Sequence, residues 1–152
     1  MTLSQKWYFA YGSNLKKERL SKRIGESSEI FNATLQDYRL TFAKGWKEHK
    51  SGKADILPNQ GSEVKGAVYS VTEDQLQSLD GHEGVGSGIY KRILITVLIN
   101  GQSTPAETYV MVREICPAKP EGWYLGLILK GLRQHGYNQA TINEVRNLAS
   151  SI

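Results

Sequence analysis

Residues 6–11 are aromatic and apolar and predict a strand that stops at Gly12-Ser13-Asn14, after which charged and apolar positions take helical spacing over 15–24. Ser13 or Asn14 is the expected N-cap of that helix. A second strand is predicted over 30–42, with an irregularity around Leu35-Gln36-Asp37. Two short strands follow over 54–57 and 64–71, separated by a Pro58-Asn59-Gln60-Gly61 turn. Thr72 with Gln75 makes a capping box that starts a helix ending near 79–81. Residues 90–99 and 104–112 pair around Asn100-Gly101, the signal of a type I′ hairpin turn. Apolar residues then recur at helical spacing over 122–134, up to His135-Gly136, and Asn138 caps a last helix with Ile142, Val145 and Leu148 on one face. Strands come first, joined by hairpins rather than βαβ units, and helices gather late. That order predicts an α+β fold with a mostly antiparallel, barrel-like sheet, in one domain over residues 1–152.

Composition narrows the function classes. No apolar run approaches the roughly 18 residues of a membrane span, and the apolar stretch at 7–11 is too short for a signal-peptide core. A cytoplasmic protein without a membrane partner is expected. The lone Cys116 cannot close an internal disulfide and sits before Pro117 in a predicted loop. It reads as a free thiol, with a nucleophilic role the rarer use. One cysteine and three scattered histidines predict no structural zinc site. Nineteen Lys and Arg against fifteen Asp and Glu give +4, spread along the chain, which suits an acidic small molecule as well as a nucleic acid. Residues 44–53 form a basic predicted surface loop in which Trp46 has the chemistry to stack on a base.

Two segments can carry chemistry. In the first, Tyr8-Phe9-Ala10-Tyr11-Gly12-Ser13-Asn14-Leu15, a strand, a glycine turn and a helix start bring several N–H groups together, an arrangement that binds carboxylate or phosphate. Read alone it is an ordinary N-cap, the commoner use of these residues. In the second, four glycines fall within eight positions around Glu83, between a helix and a strand, without the GxGxxG order of a dinucleotide site. Glu83 aimed into a partly apolar cleft would have a raised pKa suited to acid–base work; the plain alternative is an exposed loop glutamate. His82 reads as exposed, Lys16, Lys17, Arg19, Lys22 and Arg23 as a solvated helix face, and Tyr124 as a core or rim aromatic.

Taken in order, YFAYGSNL, LQDYRLTF, LDGHEGVGSGIYKR and WYLGLILKGLRQHGYN change this picture. The chain resembles the γ-glutamylcyclotransferases from about Lys6 to the final helix, the first and third motifs being the specific ones. The resemblance implies a small, mostly antiparallel β-barrel with flanking helices. It implies an enzyme of glutathione and γ-glutamyl metabolism that cyclises the γ-glutamyl group of an amine or peptide to 5-oxoproline and releases the amine. No cofactor and no metal take part. Carried over by motif, Glu83 is the catalytic acid/base, and Tyr8, Tyr11, Gly12, Ser13, Asn14, Tyr90 and Tyr124 bind substrate. The partner is then a small γ-glutamyl molecule rather than a nucleic acid, and the protein a monomer or homodimer. Removal of a γ-glutamyl protecting group from a biosynthetic intermediate, non-catalytic binding of γ-glutamyl compounds and, third, weak nucleic-acid binding through residues 44–53 are the alternatives. The chain departs from the family at 44–53, expected to border the cavity with lysines that favour acidic leaving groups, and at Gly136-Tyr137-Asn138. Both departures bear on substrate identity.

Overall fold

Five strands close into a ring in the computed structural model, which describes residues 5–48, 50–112 and 114–152. β1 (Lys6–Ala10), β2 (Ile30–Gly45), β3 (Lys53–Val71), β4 (Tyr90–Ile99) and β5 (Gln102–Met111) stand in the order β3-β1-β5-β4-β2, and β2 returns to β3. A short β6 (Ile115–Pro117) adds to the end of β2, so Cys116 lies in a strand rather than the expected loop. Of these pairings only β1 with β5 is parallel. Helices α1 (Lys17–Ile24), α2 (Glu73–His82), α3 (Gly122–Gln134) and α4 (Gln139–Ser150) flank the barrel.

Two long antiparallel ribbons, β2 with β3 and β4 with β5, carry most of the ladder. Their seams are sparse: Thr34 with Leu98 joins β2 to β4, and Tyr8 with Glu107 joins β1 to β5. At the β1–β5 seam, side chains replace ladder bonds. Thr108 Oγ1 donates to the Phe9 carbonyl at 2.8 Å, and Tyr11 Oη donates to the Tyr109 carbonyl at 2.5 Å.

The locally encoded features form as expected. Thr72 Oγ1 accepts the Gln75 N–H and Gln75 Oε1 accepts the Thr72 N–H, which completes the capping box. Asn100 and Gly101 both take positive φ between Ile99 and its partner Gln102. The predicted turn at residues 58–61 does not form. β3 continues through it as one strand, because the chain keeps the same partner strand on both sides: Tyr38 pairs with Pro58 and Gln36 with Glu63. Asp37 alone therefore faces residues 59–62, at φ 65, and its Oδ1 accepts the Gly61 N–H at 3.0 Å. The turn residues have become a wide bulge, and the irregularity expected near Asp37 is its other half.

Phe9, Phe42, Ile56 and Tyr69 of the strands are among the largest fully buried side chains, together with Leu76, Leu79, Ile128 and Leu132 of the helices. α3 presses directly on the Ser13–Leu15 turn. A Cβ at Gly131 would lie 2.5 Å from the Leu15 carbonyl carbon, so glycine there is what allows the approach. Tyr137 Oη donates to the Gly66 carbonyl at 2.6 Å and pins the α3–α4 junction to β3. That residue lines neither cavity described below, so the departure at Gly136-Tyr137-Asn138 concerns packing and not the pocket.

Candidate active site

The chain leaves β1 at Tyr11 and does not enter α1 at once. Residues Ser13–Leu15 form one 3₁₀ turn, closed by the Leu15 N–H on the Gly12 carbonyl at 3.0 Å, and α1 starts only at Lys17. Neither Ser13 nor Asn14 is a cap, contrary to the expectation; the capping positions are Gly12 and Lys16, without side-chain bonds. Leu15 explains the detour. It is fully buried beneath α3, and its carbonyl meets His135 Nε2 at 2.9 Å, which fixes the turn in space.

Both polar side chains of the turn are thereby freed for other partners. Asn14, 3% exposed, donates from Nδ2 to Tyr8 Oη at 3.0 Å and to Glu83 Oε1 at 3.2 Å. Its Oδ1 is buried without a partner among the described residues. Such an orphaned acceptor costs free energy unless something donates to it. Ser13 Oγ accepts from Arg19 Nε at 3.0 Å.

Glu83 is the last residue of the α2 turn, its N–H bonded to the Leu79 carbonyl at 2.9 Å. Gly84, at φ 69, turns the chain sharply away, so the Glu83 side chain stays behind in the barrel mouth. The side chain is 17% exposed, and burial raises its pKa. Arg23, 3.9 Å away, then Arg19 and the Asn14 amide pull the pKa back. The loop-glutamate alternative is thus excluded on geometry.

Two phenols bracket the start of β3. Tyr90 Oη donates to the Ala54 carbonyl and Tyr124 Oη accepts the Ala54 N–H, each at 2.8 Å. Tyr124 is buried, which pushes its phenol up to about 12, so it stays protonated. Tyr8 and Tyr11 are likewise raised by burial.

All eight residues singled out in the sequence, Tyr8, Tyr11, Gly12, Ser13, Asn14, Glu83, Tyr90 and Tyr124, line one inner pocket of about 40 Å³. Ala54, Thr108 and Tyr109 complete it. A second cavity, of about 290 Å³, adjoins it. Ser13, Glu83, Tyr90 and Tyr124 border both spaces and so form the neck between them.

The outer cavity corrects one expectation and bears out another. Arg19 and Arg23 are half-buried and line it, so α1 presents them to the pocket and not only to solvent. The 44–53 segment does border the cavity, through Lys44, Gly45, Glu48, Lys50, Ser51 and Lys53, with His49 outside the described residues. Lys47 is not among the lining residues; its Nζ sits 5.2 Å from the centre of the Trp46 ring. His82 is exposed at the rim, as expected. No cluster of three metal-ligating side chains occurs among the described residues, and no described helix is long and apolar enough to cross a membrane.

Known proteins resemble this chain in sequence and in fold. The family model for gamma-glutamyl cyclotransferase, AIG2-like, matches residues 8–126, a span that holds every residue of the inner pocket. Human gamma-glutamylcyclotransferase is 36% identical over 135 residues, covering 85% of this chain and 71% of the human one. The mouse protein of the same name is 36% identical over 138 residues, covering 87% and 72%. A solved gamma-glutamyl cyclotransferase structure superposes with a TM-score of 0.83 at 30% identity, covering 94% of this chain and 87% of that one. On sequence and fold together, this chain belongs to the gamma-glutamyl cyclotransferase, AIG2-like family.

Proposed function

We propose that this protein is a γ-glutamylcyclotransferase in which Glu83 is the acid–base catalyst at the neck between the two cavities. The inner pocket takes the γ-glutamyl unit, the scissile amide lies at the neck, and the outer cavity takes the leaving amine. The observation that carries this reading is the position of Glu83. Its carboxylate borders both spaces, so one group can reach both nitrogens that exchange protons.

The chemistry needs that reach. The substrate α-nitrogen attacks its own γ-carbonyl carbon, the new C–N bond closes a five-membered ring, and the old C–N bond breaks to release the amine. Each proton the attacking nitrogen gives up is one the leaving nitrogen gains. A single carboxylate moving protons outward balances the reaction, without water or a nucleophilic side chain. A pocket that holds the glutamyl chain curled supplies much of the rate, because ring closure is then a positioned intramolecular step. The unpartnered Asn14 Oδ1 is suited to accept an N–H of the substrate amine beside Glu83. The Gly12 and Ser13 backbone is suited to the substrate carboxylate or the developing oxyanion.

The test is a panel of γ-glutamyl amino acids and γ-glutamyl amines, with 5-oxoproline read by mass spectrometry. Each active substrate should yield 5-oxoproline and free amine in equal amounts. Acetylating the α-nitrogen should abolish turnover, since that nitrogen is the nucleophile. Release of amine from the N-acetyl substrate at a rate near that of its parent would mean hydrolysis and overturn the cyclisation.

A further inference from the structure

Lys53 and Arg19 are half-buried cations beside the neck, and neither is neutralised by contact. Lys53 Nζ lies 4.4 Å from the centre of the Tyr124 ring and 4.8 Å from that of Trp123. Arg19 bonds a neutral hydroxyl, Ser13 Oγ. Among the described residues, no carboxylate comes within 4.0 Å of either. Glu121 acts on Lys53 only from farther away, and its own carboxylate accepts from Ser51 Oγ and Trp123 Nε1. The two cations also repel: burial first, then Arg19 and Lys50, lower the Lys53 pKa. Partly dehydrated like charges whose counter-charges act only from a distance raise the free energy of the empty site, and an anion entering into contact relieves it.

The place of Lys53 says which anion. It lines the outer cavity and not the inner pocket, together with Arg23, Lys44 and Lys50, against only Glu48 and Glu83. Whatever lies there is on the amine side of the scissile bond. Trp123, exposed beneath the ammonium, holds Lys53 by its ring face and leaves the N–H groups free to point at a ligand.

We propose that Lys53, seated on Trp123 and Tyr124, binds a carboxylate carried by the leaving amine, and so makes the enzyme select γ-glutamyl amino acids and peptides over neutral γ-glutamyl amines. This rests on the cyclotransferase reading above. Lys53 is a specificity residue: it touches the leaving group and takes no part in proton transfer.

The experiment compares γ-glutamyl-alanine with γ-glutamyl-alaninamide, which differ by one carboxylate of nearly constant shape. Wild type should favour the carboxylate in kcat/KM by about ten- to a hundredfold, the usual worth of a charge-assisted contact. Lys53→Gln should bring the ratio close to one, and Lys53→Arg, which keeps the cation and can stack on the same rings, should hold it. A Lys53→Gln ratio unchanged from wild type overturns the proposal, whatever happens to the absolute rates. A wild-type ratio near one also overturns it, while 5-oxoproline from both substrates leaves the reaction standing. Formation of 5-oxoproline from neither removes the reaction itself, and this proposal with it.

Discussion

Burial raises the pKa of Glu83 against the pull of Arg23, Arg19 and Asn14, so the carboxylate holds a proton more readily than an exposed glutamate does. A base of that kind trades stability for reactivity, and Glu83→Gln should expose both sides of the trade. The amide keeps the shape but accepts no proton, and loss of a positioned acid–base group costs about 10²- to 10⁴-fold in rate. The upper part of that range is expected, because one group serves both nitrogens. Glu83→Asp, which withdraws the carboxylate by one methylene, should keep slight activity. Stability should move the other way. With a raised folded pKa, the favourable neutral form is fully present below the unfolded value near 4.5 and is lost as pH climbs through the raised one. At neutral pH the buried charge is therefore a cost that glutamine removes. Thermal melts should put Glu83→Gln above wild type at pH 7, with the gap narrowing toward pH 4. A lower melting point at pH 7 would mean that Arg23 and Asn14 outweigh burial, and that Glu83 is held as a structural ion rather than a poised base.

Glu83 and Asn14 meet because two elements are fixed independently, α2 by its capping box and the Ser13–Leu15 turn by α3. Disturbing each should have a different signature. Thr72→Ala loses a cap far from the pocket and should cost about 1 kcal/mol of stability, with kcat nearly unchanged in the folded enzyme. Gly131→Ala places a methyl against the Leu15 backbone, and overpacking of this kind costs about 1–3 kcal/mol. It should also shift Asn14 and lower kcat. Equal kcat for the two variants would mean that the turn is not held by α3. The same contrast explains what the sequence could reveal. Thr72 with Gln75, and Asn100 with Gly101, are settled by neighbours in the chain, so their pattern is readable there. The bulge at residues 59–62 depends on β2 pairing on both sides of it, and no local signal separates it from a turn. Arg19 and Arg23 share a helix face, as their spacing says, but spacing does not tell a face toward water from one toward a cavity. Glu83 and the YGSN residues were legible through the family motifs alone; by residue chemistry each had a plainer use. Ala54 could not be found at all, since it offers the site only its backbone N–H and carbonyl.

At the scale of the barrel, one arginine ties α2, which is outside the ladder, to the ribbon of β4 and β5. Arg92 of β4 meets Glu73 at 2.9 Å and Asp80 at 3.1 Å, both on α2, and Glu107 of β5 at 3.2 Å. Lys6 of β1 meets the same Glu73 at 2.7 Å and Glu107 at 3.9 Å. Asp80 in turn accepts from Tyr109 Oη at 2.6 Å, so the network reaches the wall of the inner pocket. Arg92 and then Lys6, by hydrogen bonds, hold the Glu73 carboxyl down at about 2. The sign is opposite to that of Glu83. A depressed folded pKa gives stability that is present above the unfolded value near 4.5 and is lost as pH falls toward about 2. Arg92→Met keeps much of the stem but leaves Glu73, Asp80 and Glu107 without their shared cation. At pH 7 this should cost about 1–3 kcal/mol, the range for charged hydrogen bonds discounted because the network is open to solvent on one side. As Glu73 takes up its proton the cation matters less, so urea midpoints of variant and wild type should draw together between pH 4.5 and the lowest pH at which both fold. A gap that stays constant across that range would assign the loss to packing of the arginine stem, and the charge network would then contribute nothing to holding α2 and β5 together.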